Sequence, residues 1–350
     1  MQSEKGICIK EISEGANVDG LFLVKKMSRA ETRTGSPYLM LTVMDATGEM
    51  EGRVWENADK MITACPAGGI VRLTGQAQSF KNILQLKINS LAAIPTEEID
   101  ITQFLPSAPG DINSMGAELR KIAKSIDNPF LRELLFAFFQ NRKFMEQFKA
   151  SVAAKNMHHA YIGGLLEHTL AVARLAESTC HLYPTIDRSL LIAGAILHDI
   201  GKVEEFSSTS QPSDYTDSGR LMGHLVLGVE MIQKRIDTIL HFPDDLAVRL
   251  KHLILSHHGR HEFGSPAVPM MLEAFVLNFL DDLDSKINYV NRLSSQARED
   301  GYQWTDYQRP MERFLYVQNT PSQPLAGITP ATTDTAEPEI DPRQRNLWES

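Results

Sequence analysis

Five apolar stretches of this 350-residue sequence carry a histidine or an acid in step with their leucines. In GGLLEHTLAVARLAE, His168 repeats with Leu165, Val172 and Leu175, which puts the imidazole on the inward face of a helix. SLLIAGAILHDIGK reads as an apolar helix rich in small residues that ends at His198-Asp199, with Gly201 as its expected C-terminal cap. GRLMGHLVLGVEMI aligns His224 with Leu221, Gly228 and Met231. LAVRLKHLILSHHG aligns His257 with Leu246, Leu250 and Leu253, with His258 beside it and Gly259 closing the helix. In LEAFVLNFLDDLDSK, Asp281 shares a face with Leu277 and Asp284, whereas Asp282 falls with Phe275 and Phe279.

Ionisable groups on buried faces are costly to desolvate without a partner. A single inward histidine is ordinarily a hydrogen-bonded core residue. Five helices that each turn an imidazole or a carboxylate inward call for one shared explanation, and a bound cation supplies it. Imidazole nitrogens with carboxylates suit first-row divalent ions. A shared metal centre is therefore the simpler account, and a metal-bound water, its pKa lowered to about 7, is the chemistry such a centre offers.

The elements that must hold these residues differ along the chain. The length favours two domains, and 43% apolar, 23% charged and 7% aromatic residues fit a globular protein. The start, MQSEKGICIKEISEG, lacks a basic segment followed by an apolar one, and no stretch has the ~18 uncharged apolar residues of a membrane span, so a cytoplasmic protein is expected. Cys8, Cys65 and Cys180 are too scattered for a disulfide framework or a thiolate cluster. The net charge of -9 is uneven: residues 1–95 hold 11 basic and 10 acidic residues, and residues 318–350 hold 2 and 5. An acidic middle still accepts a polyanion where divalent cations and local lysines set the field.

Between Asp19 and Ile88, short alternating segments (Gly20–Lys26, Tyr38–Met44, Met50–Trp55, Ile70–Gly75, Ile83–Ile88) are separated by turn signals, with a short helix expected at Glu56–Ile62. Five such strands predict a small closed β-barrel. GSPYLMLTVMDATGEMEGRVW and GGIVRLTGQAQSFKNILQLKI resemble the oligonucleotide-binding OB-fold of the tRNA-anticodon-binding type, which holds single strands with a basic groove and stacking aromatics. Lys25, Lys26, Arg29, Arg33, Tyr38, Arg53, Trp55, Phe80 and Lys81 are candidates for that contact, with Phe80, Lys81 and Arg33 foremost, while Trp55, on an apolar strand, reads more readily as core. Residues 96–114, rich in Pro, Ser, Asp and Gly, read as a linker. Helical periodicity dominates from Met115 to Asn291, apart from breaks at Ser207–Gly219 and Phe242–Asp245. Residues 318–350 have too little apolar content to fold and read as a disordered tail.

The order His, His-Asp, His, His-His, Asp resembles the HD superfamily of metal-dependent phosphohydrolases, with His198-Asp199 as its name motif within HDIGK. HHAYIGGLLEHTLAVA, AILHDIGKVEEF, GHLVLG, LSHHG and WTDYQRPMERFLY narrow the resemblance to the YhaM-type 3'-5' exoribonuclease family, similar in having an OB-fold before an all-α HD bundle. It covers about residues 15–317, giving an OB domain at 1–95 and an HD domain at 115–317. The resemblance implies that His168, His198, Asp199 and Asp281 hold one metal and that Asp199 bridges to a second held by His224 with His257 or His258, or else that one metal is bound and the later histidines serve the substrate. The family pattern has a small residue where Leu280 stands, followed here by two aspartates.

Asp199, Lys202 and His224 are the expected catalytic residues, with Lys202 either on a non-bridging phosphate oxygen or exposed near a helix C-terminus, and with His159 either at the substrate or in a capping or surface role. Manganese or cobalt is the expected metal, with iron, nickel, zinc or magnesium as others that fit. Single-stranded RNA is the expected partner, then single-stranded DNA, with no membrane and with room for a homo-oligomer. Two other readings fit the same residues: an HD phosphohydrolase of a small nucleotide or cyclic dinucleotide, and a non-catalytic single-strand- or DNA-binding factor with a structural metal.

Overall fold

A computed structural model describes residues 5–32, 34–56, 61–62, 65, 68–80, 83–95, 99, 101–105, 108, 110–154, 159, 161–207, 214–295, 297 and 301–319. Five strands, β1 (Asn17–Glu31), β2 (Pro37–Asp45), β3 (Gly48–Val54), β4 (Ile70–Phe80) and β5 (Ile83–Ile94), close a barrel in the order β1-β2-β3-β5-β4. Neighbours are antiparallel except β3 and β5, which run parallel. This is the five-stranded OB-fold arrangement.

The strands outrun the alternating segments that announced them. Antiparallel pairing carries β1 on to Glu31 and β5 on to Ile94, past the apolar residues, because each added residue finds ladder partners. Leu39, Leu41, Val43, Met50, Val54, Leu86 and Ile88 fill the barrel. Within β1, Phe22 and Val24 join that core, while Leu21 and Leu23 face outward and are buried all the same. They are covered with Met44 and Ile70 by Phe104 and Leu105.

The expected linker is therefore partly a packed connector. Its turn Ile101–Phe104 ends on the fully buried Phe104, and Ala108 N–H donates to Ile162 O at the edge of the helical region. The first helix begins inside that span at Ile112, where Asp111 caps it by accepting from Ser114 N–H. The short helix expected at Glu56–Ile62 falls largely outside the described residues. Trp55 corrects the core expectation. Inward positions on β3 alternate through Val54, so the next residue points out, and Trp55 is 41% exposed.

The helices are α1 (Ile112–Lys124), α2 (Pro129–Phe139), α3 (Arg142–Ala150), α4 (Gly164–Leu182), α5 (Arg188–Leu197), α6 (Lys202–Glu205), α7 (Asp217–Ile236), α8 (Asp244–Ser256) and α9 (Leu272–Ser295). A hairpin of β6 (Tyr302–Trp304) and β7 (Tyr316–Gln318) follows and packs on α9. The core of the helical region centres on α5, whose residues Leu190–Leu197 are all buried and meet α4, α8 and α9. Periodicity alone overstated the continuity, because Asn128, Asn141 and Asp187 cap new helices within the expected helical run. The expected tail begins with the last residue of β7, and residues 320–350 lie outside the described residues. Among the described residues no helix is long and apolar enough to cross a membrane.

Candidate metal centre and strand-binding face

Five imidazoles meet where the ends of α5 and α8 face α4, α7 and α9. His168 rises from α4 between the buried Leu165 and Val172. His198 follows the last residue of α5, and His257 follows Ser256 at the end of α8. Gly201 does not cap α5 as expected. Its φ is −65°, and a Cβ there would lie 2.0 Å from His224 O, so its role is to let α7 approach the HD turn.

His224 is reached differently from the simple stripe. Gly223 has φ 72° and ψ 160°, which breaks the helical phase. Leu221, before the break, is thus 85% exposed, while His224 still turns inward.

Each imidazole uses Nδ1 on an acceptor and turns Nε2 to the centre. His198 Nδ1 meets Ala195 O at 2.9 Å, His257 Nδ1 meets Ile254 O at 2.8 Å, and His258 Nδ1 meets Phe263 O at 3.0 Å. His168 Nδ1 lies 2.7 Å from Asp284 Oδ2, and His224 Nδ1 lies 3.0 Å from Glu205 Oε1. Carbonyls and carboxylates accept, so Nδ1 carries the proton and a neutral ring presents a lone pair at Nε2.

Those lone pairs crowd together. His168 Nε2 and His198 Nε2 are 3.1 Å apart, and His224 Nε2 and His258 Nε2 are 3.3 Å apart. Two facing lone pairs repel unless a proton or a metal stands between them. Burial disfavours charge on His168, yet Asp281 and Asp284 outweigh it and push its pKa up to about 10. A proton thus takes the cation's place there. Burial, with His257 and His224 beside it, pushes His258 down to about 3 and keeps it neutral.

Asp199 is buried between the two groups. Its Oδ2 lies 3.5 Å from His168 Nε2 and 3.4 Å from His198 Nε2, while Oδ1 lies 3.5 Å from His224 Nε2 and 3.7 Å from His257 Nε2. Burial would raise its pKa, and Lys202 with His198 reverses this and holds the carboxyl well below its usual range. Asp199 Oδ1 and His257 Nε2 are buried with no hydrogen-bond partner. Such orphaned groups are costly, and the ligand atoms of His168, His198 and Asp281, of His198, Asp199 and His257, and of His224, His257 and His258 cluster closely enough to share ions. The residues present fit divalent metal, with Asp199 offering one oxygen to each side.

The two acids of α9 separate cleanly. Asp281 Oδ1 lies 3.1 Å from His168 Nε2, whereas Asp282 points outward and pairs with Lys286. Lys202 is buried rather than free in solvent, with Nζ 2.6 Å from Asp199 Oδ2. His159 corrects the substrate-contact expectation. It is 3% exposed with φ 45°, its Nε2 lies 3.0 Å from Asp284 Oδ2, and its Nδ1 lies 2.8 Å from Tyr161 Oη. Tyr161 in turn donates to Glu167, and Asn288 Oδ1 accepts from His159 N–H. His159 thus braces Asp284, which orients His168.

Asp284 and Glu205 are the positioning residues that the residue pattern did not single out. The signal for Asp284 was its place one turn beyond Asp281 on the same face.

On the barrel, Tyr38 and Trp55 stack with ring centroids 4.8 Å apart. The Arg53 guanidinium, on β3, lies 5.4 Å over the half-exposed Phe80 ring, and its Nε has no hydrogen-bond partner. Lys25 is paired with Glu49, which spends part of its charge. Arg33 and Lys81 lie outside the described residues. Trp55 read as core ahead of contact because alternation alone does not say where a strand ends.

The family model described as HD domain matches residues 165–286. The "3'-5' exoribonuclease YhaM" of Oceanobacillus iheyensis is 35% identical over 291 residues, which are 83% of this chain and 90% of that protein. The protein of the same name from Bacillus subtilis is 32% identical over 299 residues, 85% of this chain and 93% of its own, and that of Listeria welshimeri is 34% identical over 285 residues, 81% and 90%. With the barrel, the helical bundle, a cluster of histidines and aspartates that could hold metal, and relatives of this identity over most of the chain, the chain belongs to the YhaM family of 3'-5' exoribonucleases.

Proposed function

We propose that this protein is a metal-dependent 3'-5' exoribonuclease that removes nucleoside 5'-monophosphates from single-stranded RNA in the cytoplasm. The observation that carries the reading is the orphaned pair Asp199 Oδ1 and His257 Nε2 within a cluster of inward Nε2 atoms, in a chain that also carries a nucleic-acid-binding type of barrel.

Bound divalent metal, manganese or cobalt by preference, would supply a nucleophile from water at neutral pH and neutralise charge on the phosphate. His168, His198 and Asp281 would hold one ion, His224 with His257 and His258 a second, and Asp199 would span both. Lys202 keeps Asp199 ionised and sits at the right place to offer a point charge to an arriving phosphate oxygen. Asp284 and Glu205 fix the tautomers of His168 and His224, so that both present Nε2 to the ions. Tyr38, Trp55, Arg53 and Phe80 offer π-faces and a cation to unpaired bases. The three cysteines carry no disulfide, which accords with a reducing compartment.

The test is 5'-labelled single-stranded RNA incubated with the purified protein, with Mn²⁺ or with EDTA. A ladder that shortens from the 3' end only with metal is expected. Internal cleavage, or inertness with every metal, would overturn the reading.

A further inference from the structure

The helix that supplies Asp281 and Asp284 to the centre has a second face. Phe275, Phe279, Leu283 and Ile287 recur every four residues along α9 and are 50%, 66%, 44% and 49% exposed. A helix on a domain surface normally turns such a stripe to its own core. This one already gives its core face to Ala274, Leu277 and Leu280, so the stripe is additional.

The hairpin that packs on α9 extends the apolar surface. Tyr302, Trp304 and Tyr316 are all more than half exposed on it, Tyr302 stacked on Tyr316 with centroids 5.2 Å apart and Trp304 tilted against Tyr316 at 4.9 Å. With about 150–250 Å² per aromatic side chain, the stripe and the hairpin together expose on the order of 1,000 Å². The largest apolar patch of a monomer is ~300–600 Å², whereas each partner in a stable complex buries ~800 Å².

Charge identifies the occupant. Asp282 and Lys286 lie on the same exposed side, one turn apart. A helix laid antiparallel on its own copy, with the two-fold axis near residue 284, sets Asp282 opposite Lys286 of the partner subunit, and the reverse pair forms by symmetry. Leu283 then packs at the axis, and the Phe275 end of each helix reaches toward the hairpin end of the other. The hairpin's charged residues, Asp306, Arg309, Glu312 and Arg313, sum to zero, which suits an aromatic protein contact better than a polyanion.

We infer that this face of α9, with the β6–β7 hairpin beside it, is the two-fold contact of a homodimer. The stripe lies on the other side of the helix from Asp281, so the contact does not touch substrate. It does not depend on which phosphodiester the centre cleaves.

The test is sedimentation equilibrium of the full chain over a concentration series, with circular dichroism to confirm folding. The wild type is expected at twice the 39.2 kDa chain mass, and Phe279→Glu as a folded monomer. Asp282→Lys and Lys286→Asp should each raise the dimer dissociation constant by at least about tenfold, since like charges then face each other. Mixing these two single variants should restore dimers, because every cross-subunit pair in the mixed species is again of opposite sign.

That rescue separates a second copy from residues 320–350 of the same chain as the occupant, for which mixing would change nothing. A wild type that stays monomeric, a dimer indifferent to all three substitutions, or single variants that do not rescue each other would overturn the inference. Phe279→Glu failing to fold would leave the charge-reversal mixture to decide.

Discussion

The metal centre and the barrel face are built on opposite principles. At the centre each imidazole is held in place by a second group beside it. Asp284 holds His168, Glu205 holds His224, and main-chain carbonyls hold His198, His257 and His258. On the barrel the candidates are exposed or half-buried, and Lys25 spends part of its charge on Glu49. Chemistry at a phosphorus atom demands fixed geometry, whereas a surface that must slide along a strand needs only π-faces and charge.

The sharpest way to break this contrast is the pair of adjacent acids on α9. Asp281→Ala should lower hydrolysis by more than about 100-fold, beyond the ~10–100-fold expected when only an outer partner of a ligand is lost. Asp282→Ala should leave the cleavage of a short substrate unchanged. Initial rates for both purified variants decide it, and a reversed order would mean that the helix is turned the other way at the site.

A step further out, Asp284→Asn keeps the shape but weakens the grip on His168. Metal affinity should fall about 10–100-fold, read by calorimetric titration of the metal-free protein, with activity restored at high metal. Affinity equal to wild type would show that His168 needs no orienting carboxylate.

On the barrel the expected losses are smaller and confined to polymers. Trp55→Ala or Phe80→Ala should weaken single-stranded RNA binding by ~1–3 kcal/mol, roughly 5- to 150-fold, while hydrolysis of bis-p-nitrophenyl phosphate stays as it was. Equal affinity in both variants would move the RNA grip elsewhere. Point variants serve better than removing residues 1–95, because that deletion would bare Phe104 and Leu105.

The smallest effect concerns the scaffold. Asp45 is buried, which opposes its charge, but Lys5, Thr47 and Ile9 N–H hold its pKa below the usual range. A depressed carboxyl contributes stability above its unfolded pKa of about 3.9 and loses it as pH falls through the folded value. Asp45→Asn should therefore cost about 1–3 kcal/mol at neutral pH. Melting curves should show that difference shrinking below about pH 4.

What the sequence disclosed follows the same division. Leu246, Leu250, Leu253 and His257 announced their shared face because an unbroken helix transmits its period, and Asp281 separated from Asp282 for the same reason. The His224 stripe was right about the histidine but wrong about Leu221, since Gly223 resets the phase and no pattern of apolar residues encodes a positive φ. His159 and Trp55 were harder to read for a related reason. Their surroundings are not set by local period: Asp284 of α9 holds His159, and Trp55 stands at the end of a ladder. The linker hid its packing because Phe104 and Leu105 find their partners on a barrel face that looks, from alternation alone, like solvent.

The central claim is that Asp199 ties two sets of imidazoles into one hydrolytic metal centre. It is tested most directly by counting metal per chain in the wild type and in Asp199→Ala, after loading with Mn²⁺ and desalting, alongside release of nucleoside monophosphates from single-stranded RNA. Bound metal and release are expected in the wild type, and in Asp199→Ala a folded protein that has lost both while still binding RNA. An Asp199→Ala protein that retains its metal, or that hydrolyses RNA at a substantial rate, would contradict it.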